Sequence, residues 1–231
     1  MPDVPDPTVP PSPRPGAVDP ARRERLPRGR HGLSREEVTA AQRERIVHGM
    51  AAAMADEGYV GTSVTAILKR AGVSRQTFYE QFRSKEECFT ATYAWAAETI
   101  MREMARAAQD REGEGGAPTD RDAAIDRMLG FYLQGLSAAP AFARVLLVET
   151  YAAGPAALEN RVALQRRFAE TIGAVLGAST DADRFACEAL VGAISQLVTG
   201  RLATGDVEGL LALHEPLAAF VRRCAAGFGA A

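Results

Sequence analysis

The sequence predicts an all-α protein in which a three-helix N-terminal domain with a helix-turn-helix is followed by a C-terminal helical bundle, about nine helices in all. Three observations carry this. From Ser34 onward, apolar residues recur at i, i+3, i+4 and i+7. No stretch sustains the period of two that a half-buried strand requires. Glycines and prolines break the pattern at helix-length intervals, at Gly58, Gly72, Pro140, Gly154-Pro155, Gly177 and Gly205. With 231 residues, 47% of them apolar, the chain has enough material for a buried core.

Nine of the thirteen prolines precede Arg28, and few aliphatic side chains accompany them, so residues 1–30 are predicted to be a disordered tail. Its basic end, Arg28-Gly29-Arg30-His31, reads either as a solvated leader or as an arm for the minor groove of DNA. Ser34 and Glu37 form a capping-box pattern, and Val38, Ile46, Met50 and Met54 continue the first helix until Gly58 stops it. A loop from Tyr59 to Thr62 leads to a short helix capped by Ser63, with Val64, Ile67, Leu68 and Ala71 on one side and Gly72 at its end. Ser74 caps a third helix, where Phe78 and Phe82, four apart, face the same way. Ser84 and Glu87 open a fourth, which carries Phe89, Tyr93, Ile100 and Met104 to about Gln109. Residues 111–120, rich in glycine, read as a loop. Further helices are expected near Arg121–Ser137, Ala141–Ala152, Ala156–Leu176, Ala182–Ala203 and Val207–Gly227.

Charge is distributed unevenly. Residues 28–90 hold ten Lys/Arg against eight acids, and residues 91–231 hold thirteen against seventeen, although the whole chain is at −2. No segment is apolar for the roughly 18 residues of a membrane span, and the N-terminus lacks an apolar leader, which points to the cytoplasm and no membrane partner. Cys88, Cys187 and Cys224 show neither CxxC nor His-partner spacing, so no disulfide framework, metal site or cofactor is indicated. They read as small core residues, with redox sensing by a partly exposed Cys88 the alternative. His31, His48 and His214 have no evident nucleophile or metal partner, and no phosphate-cradling glycine loop is present, which disfavours an enzyme.

The turn at Ala71-Gly72-Val73 is what a helix-turn-helix needs, because Gly72 enters positive φ without a Cβ penalty. Anchoring of the following helix by Phe78 and Phe82 leaves Arg75, Gln76, Thr77, Tyr79 and Gln81 on its other side. That set of donors and acceptors suits base edges and phosphates in the major groove. The segment SVTAILKRAGVSRQTFYEQFRSKEECF closely resembles the DNA-binding domain of the tetracycline-repressor (TetR) family. AGVS stands where that family has its turn, TFYxxF where its recognition helix ends, and SKEE where its fourth helix opens. The match runs from about Arg43 to Tyr93, and beyond it only helix number and length agree.

The resemblance implies a domain at 35–93 with the helix-turn-helix at about 63–82, and a ligand-binding and dimerisation domain at 94–231. It implies that Arg75, Gln76 and Thr77 approach bases or nearby phosphates, and that Tyr79 and Gln81 meet the backbone or thymine methyls. Thr62 or Ser63 would hold a phosphate at the start of the second helix and Lys85 one at the start of the fourth, where free N–H groups and the helix dipole favour anions. Glu80 departs from the family pattern and would repel DNA unless Arg75 or Arg83 pairs with it or it accepts from a cytosine. It is the feature that favours the alternative of a helical interaction protein without specific DNA binding.

The resemblance further implies a homodimer on operator half-sites and an unidentified small-molecule effector in the C-terminal domain. The last two helices, with Leu190, Val191, Ile194, Leu197, Val198 and Leu202, then Leu210, Leu211, Leu213, Leu217, Phe220 and Val221, carry more apolar positions than one buried face uses, and are expected at the dimer surface. A wholly internal core is the other reading. Tyr132, Glu149, Tyr151, Gln165, Phe168 and Gln196 are candidates for a pocket of mixed polarity.

Overall fold

Ten α-helices and one 3-10 turn follow one another in the computed structural model, which describes residues 34–109 and 121–228. The head consists of α1 (Arg35–Gly61), α2 (Val64–Ala71) and α3 (Arg75–Gln81). A long α4 (Lys85–Gln109) leads out of it. The remainder is α5 (Arg121–Ala138), α6 (Pro140–Leu147), the 3-10 turn Glu149–Tyr151, α7 (Pro155–Leu176), α8 (Asp181–Thr204), α9 (Val207–Leu211) and α10 (His214–Ala225). The described residues contain no strand. The predicted tail with its Arg28–Arg30 arm and the 111–120 loop lie outside them.

The helix starts follow the local chemistry. Ser63 Oγ accepts the Ala66 N–H at 3.1 Å and Ser74 Oγ the Thr77 N–H at 3.0 Å, each satisfying one of the free donors of a first turn. Thr180 and Asp183 make a reciprocal capping box at α8. Gly58, at φ 66°, breaks the path of α1, and a single further turn runs to Gly61. Gly72, at φ 62°, closes α2 with its N–H on the Leu68 carbonyl at 2.9 Å.

Two departures have clear causes. The helix predicted over 207–227 is two, α9 and α10, because Pro216 has no N–H to offer the carbonyl one turn back and the chain re-nucleates at Leu213. The helix predicted over 141–152 ends at Leu147 and tightens into the 3-10 turn.

The apolar side of α1, with Ile46, Met50 and Met54 fully buried, packs on α2, α4 and α6. A single core then continues through Leu133, Val145 and Val198 to Ala225. The boundary expected after Tyr93 falls inside an unbroken α4, so no gap separates head from bundle. Most of the residues expected at a dimer surface are consumed by this core: Leu190, Val191, Ile194, Val198, Leu202, Leu210, Leu213, Leu217 and Val221 are buried within the chain. Leu197 and Leu211 are exposed, and Phe220 is half-buried. The surplus of apolar positions is absorbed because α8 is wrapped by α6, α7, α9 and α10. Cys88 is fully buried, not partly exposed, and burial pushes its thiol up to about 12, so the reactive thiolate is disfavoured. Among the described residues no single helix is long and apolar enough to cross a membrane.

Candidate nucleic-acid interface and buried cavity

The two short helices meet at a turn that α1 holds from behind. Arg45 donates to the Ala71 carbonyl at 3.2 Å and to the Gly72 carbonyl at 2.7 Å. Gly49 lets α1 approach closely, since a Cβ there would stand 2.8 Å from the Ala71 Cβ and 2.9 Å from its backbone nitrogen. Phe78 and Phe82 are buried under α3, ring centroids 5.8 Å apart, and the Arg43 guanidinium covers the Phe82 ring at 4.4 Å.

The opposite side of α3 faces solvent. Arg75, Gln76 and Tyr79 are exposed, Tyr79 at 49%, and Thr77 and Gln81 are half-buried. Arg75 rests on the Thr65 hydroxyl at 3.3 Å, which ties α3 to α2. The Thr77 hydroxyl sits 2.9 Å from that of Ser74. The Gln81 carbonyl accepts from Arg43 at 3.2 Å. Gln76 donates to Glu80 at 2.9 Å, so the awkward carboxylate is engaged by an amide on its own helix and not by Arg75 or Arg83.

The residues expected to hold phosphates at helix starts divide. Ser63 is exposed. Thr62 is 2% exposed, and its hydroxyl is spent on the Gly58 carbonyl at 2.7 Å, so it serves the α1 break and not the surface. Lys85 is half-buried: its ammonium donates to the Tyr59 carbonyl at 3.0 Å and lies 4.3 Å from the centre of the Tyr59 ring.

A second candidate site lies in the bundle, a cavity of about 70 Å³ lined by α4, α5, α6, α7, α8 and α10. Of the six residues expected to form a pocket, Tyr132, Gln165 and Phe168 line it. Tyr151 and Gln196 are exposed, and Glu149 is buried elsewhere. Beside Tyr132 and Gln165, the polar side chains in its wall are Tyr93, Arg161 and Ser195. Arg161 is 7% exposed, donates to the Leu146 carbonyl at 3.2 Å and the Ser195 hydroxyl at 2.9 Å, and stacks against Tyr151 at 5.0 Å. Among the described residues no carboxylate pairs with it. A sequence signal exists: Arg161 falls in the stripe Ala157, Leu164, Phe168, where a charge interrupts an apolar face.

Glu149, 5% exposed, ties the turn after α6 to the end of α1. Its carboxylate accepts the Tyr59 backbone N–H at 2.8 Å and pairs with Arg144 at 2.9 Å. His48 meets the rings of Trp95 and Phe142 edge-on at 5.0 and 4.9 Å, and His214 Nε2 lies 3.0 Å from the Asp126 carbonyl; both act in packing.

Residues 46–92 match the family described as bacterial regulatory proteins, tetR family. No curated protein matches the chain in sequence. Among solved structures it is similar to the fatty acid degradation regulator FadR from Bacillus halodurans, at 18% identity over 78% of this chain and 94% of that one, with a TM-score of 0.67. It is similar to FadR from Bacillus subtilis, solved in complex with stearoyl-CoA, at 15% identity over 77% and 96%, TM-score 0.65. A TetR transcriptional regulator from Chloroflexus aurantiacus J-10-FL aligns at 21% identity over 80% and 96%, TM-score 0.62. At these identities the structural likeness speaks for the fold.

Proposed function

We propose that the chain, whose residues 46–92 match the family of bacterial regulatory proteins described as tetR, is a homodimeric repressor that binds a palindromic operator and is released by a small molecule held in the bundle cavity. The observation that carries this is the two-sidedness of α3, with Phe78 and Phe82 buried beneath and Arg75, Gln76 and Tyr79 exposed above. A helix so held can lie in a major groove with its polar side on the bases.

In this reading Arg75, Gln76 and Thr77 approach base edges, and Tyr79 and Gln81 meet sugar, phosphate or thymine methyls. Ser63 holds a phosphate at the start of α2. Lys85 contributes positive charge at the start of α4 while its ammonium steadies the Tyr59 turn. Thr62 acts from within the fold.

One such helix makes few contacts, and a dimer doubles them over half-sites roughly 34 to 36 Å apart. The interface we propose still lies on the last long helices, but on the outward side of α8, where Phe185 is 71% exposed and a Cβ on Gly192 or Gly200 would meet nothing within 4 Å. Phe185, Gly192, Gln196 and Gly200 share that side, so two copies can approach closely along it.

Release needs a link between cavity and head, and Glu149 supplies one. Arg161, in the cavity wall, holds the final carbonyls of α6; the turn after α6 carries Glu149; and Glu149 holds the Tyr59 N–H just past the break at Gly58. A ligand that binds better when α6 has moved shifts the head by as much as its affinities for the two states differ. The test is electrophoretic retardation of the DNA flanking the protein's own gene. Specific retention of one fragment supports the repressor reading, and indifference to all fragments at moderate salt overturns it.

A further inference from the structure

We infer that the cavity takes a slender apolar molecule ending in a small anionic group, a carboxylate, with the Arg161 guanidinium as its counter-ion; this rests on the reading of that cavity as the effector site. Arg161 is more than nine-tenths buried and faces the cavity. A guanidinium has five N–H donors and a full charge. The Leu146 and Leu147 carbonyls and the Ser195 hydroxyl satisfy donors, yet none of them neutralises the charge. A buried cation without an anion is costly, and a carboxylate arriving beside it removes that cost while matching the planar fork.

A second unfinished group points the same way. The Tyr93 hydroxyl, also on the cavity wall, is buried and has no hydrogen-bond partner, so it has a donor to offer an incoming oxygen. Arg161 acts electrostatically on both Tyr93 and Tyr132, in each case against the effect of burial, and all three line the cavity. Apart from Ser195 and Gln165 the remaining wall is apolar, with Ile125, Leu164 and Phe168 and the adaptable side chains of Met104 and Met128. A space of about 70 Å³ admits only a narrow molecule, one for which the flexible Met104 and Met128 must give way, and Arg161 at 7% exposure is too deep for a head as bulky as a nucleotide. The carboxylate therefore points inward, toward Arg161.

The test is calorimetric titration of the full chain with decanoate, decanol and decanoyl-coenzyme A, repeated with hexanoate and hexanol so that chain length does not decide it. Decanoate is expected to bind roughly tenfold tighter than decanol or more, which is about 1.4 kcal/mol. Arg161→Met is expected to erase that preference, and Arg161→Lys to keep part of it. If Arg161→Met fails to fold by circular dichroism, Tyr93→Phe carries the test, with decanoate weakened several-fold and decanol unchanged. Equal affinity of the parent for acid and alcohol, tighter binding of the coenzyme A thioester than of the free acid, or no binding of either acid overturns the inference. Operator retardation separates it from the reading it rests on. Decanoate that binds at Arg161 without releasing DNA leaves the site standing and ends the effector role. Release by decanol and decanoate alike does the reverse.

Discussion

The carboxylate of Glu149 accepts the backbone N–H of Tyr59, 90 residues earlier in the chain, at 2.8 Å. Both residues are buried, and the bond lands one residue after the glycine that breaks α1. The turn after α6 is thereby fastened to the base of the helix-turn-helix head.

Glu149→Ala strands that N–H and the Arg144 guanidinium. Loss of a buried charge-assisted acceptor is expected to cost about 1 to 3 kcal/mol in denaturant unfolding. The variant that still folds should bind operator but no longer release it with ligand, as read by fluorescence anisotropy. Glu149→Gln keeps an acceptor for Tyr59 and should fall between.

Gly49→Ala and Phe78→Ala test the packing beneath α3. The added Cβ at Gly49 meets backbone and side chain of Ala71 at under 3.0 Å, so α1 must back away from the turn, at roughly 1 to 3 kcal/mol. Phe78→Ala empties a fully buried site and is expected to cost about 3 to 5 kcal/mol. Thermal unfolding should show both losses, in contrast to the exposed Tyr79→Ala, which should unfold like the parent.

Phe185→Glu places a charge on the outward side of α8. Sedimentation should report a monomer of unchanged helicity, with operator affinity lowered because two half-sites are no longer read together. A variant that remains dimeric moves the interface off this side.

Stability should fall on the alkaline side. Burial pushes the Cys88 thiol up to about 12, above an unfolded value near 8.5. A raised folded value favours the neutral form, so its contribution is whole below about pH 8.5 and is lost as pH climbs toward 12. Tyr93, also raised to about 12 by burial, adds to the loss from about pH 10. Urea midpoints measured between pH 7 and 10 should decline, and less steeply in Cys88→Ala.

The head was legible in the sequence because its signals are local: Ser63 and Ser74 cap their own helices, Gly72 turns on its own φ, and Phe78 and Phe82 declare a face by spacing alone. The rest depends on distant partners. Gly49 is needed only because Ala71 stands against it, and Thr62 turns inward because both its N–H and its hydroxyl donate to the Gly58 carbonyl. Glu149 is expected in the pocket and Arg161 only interrupts an apolar stripe, and the partners that bury each lie far along the chain. Apolar counting on α8 and α10 could not tell an interface from a core, and the core took most of those side chains.

The most direct measurement is specific operator retardation by Arg75→Ala and Tyr79→Ala beside the parent chain, with sedimentation of each. Loss of the specific complex with the dimer intact is the expected result. Retention of the operator at parental affinity by both variants would contradict a DNA-reading role for the exposed side of α3.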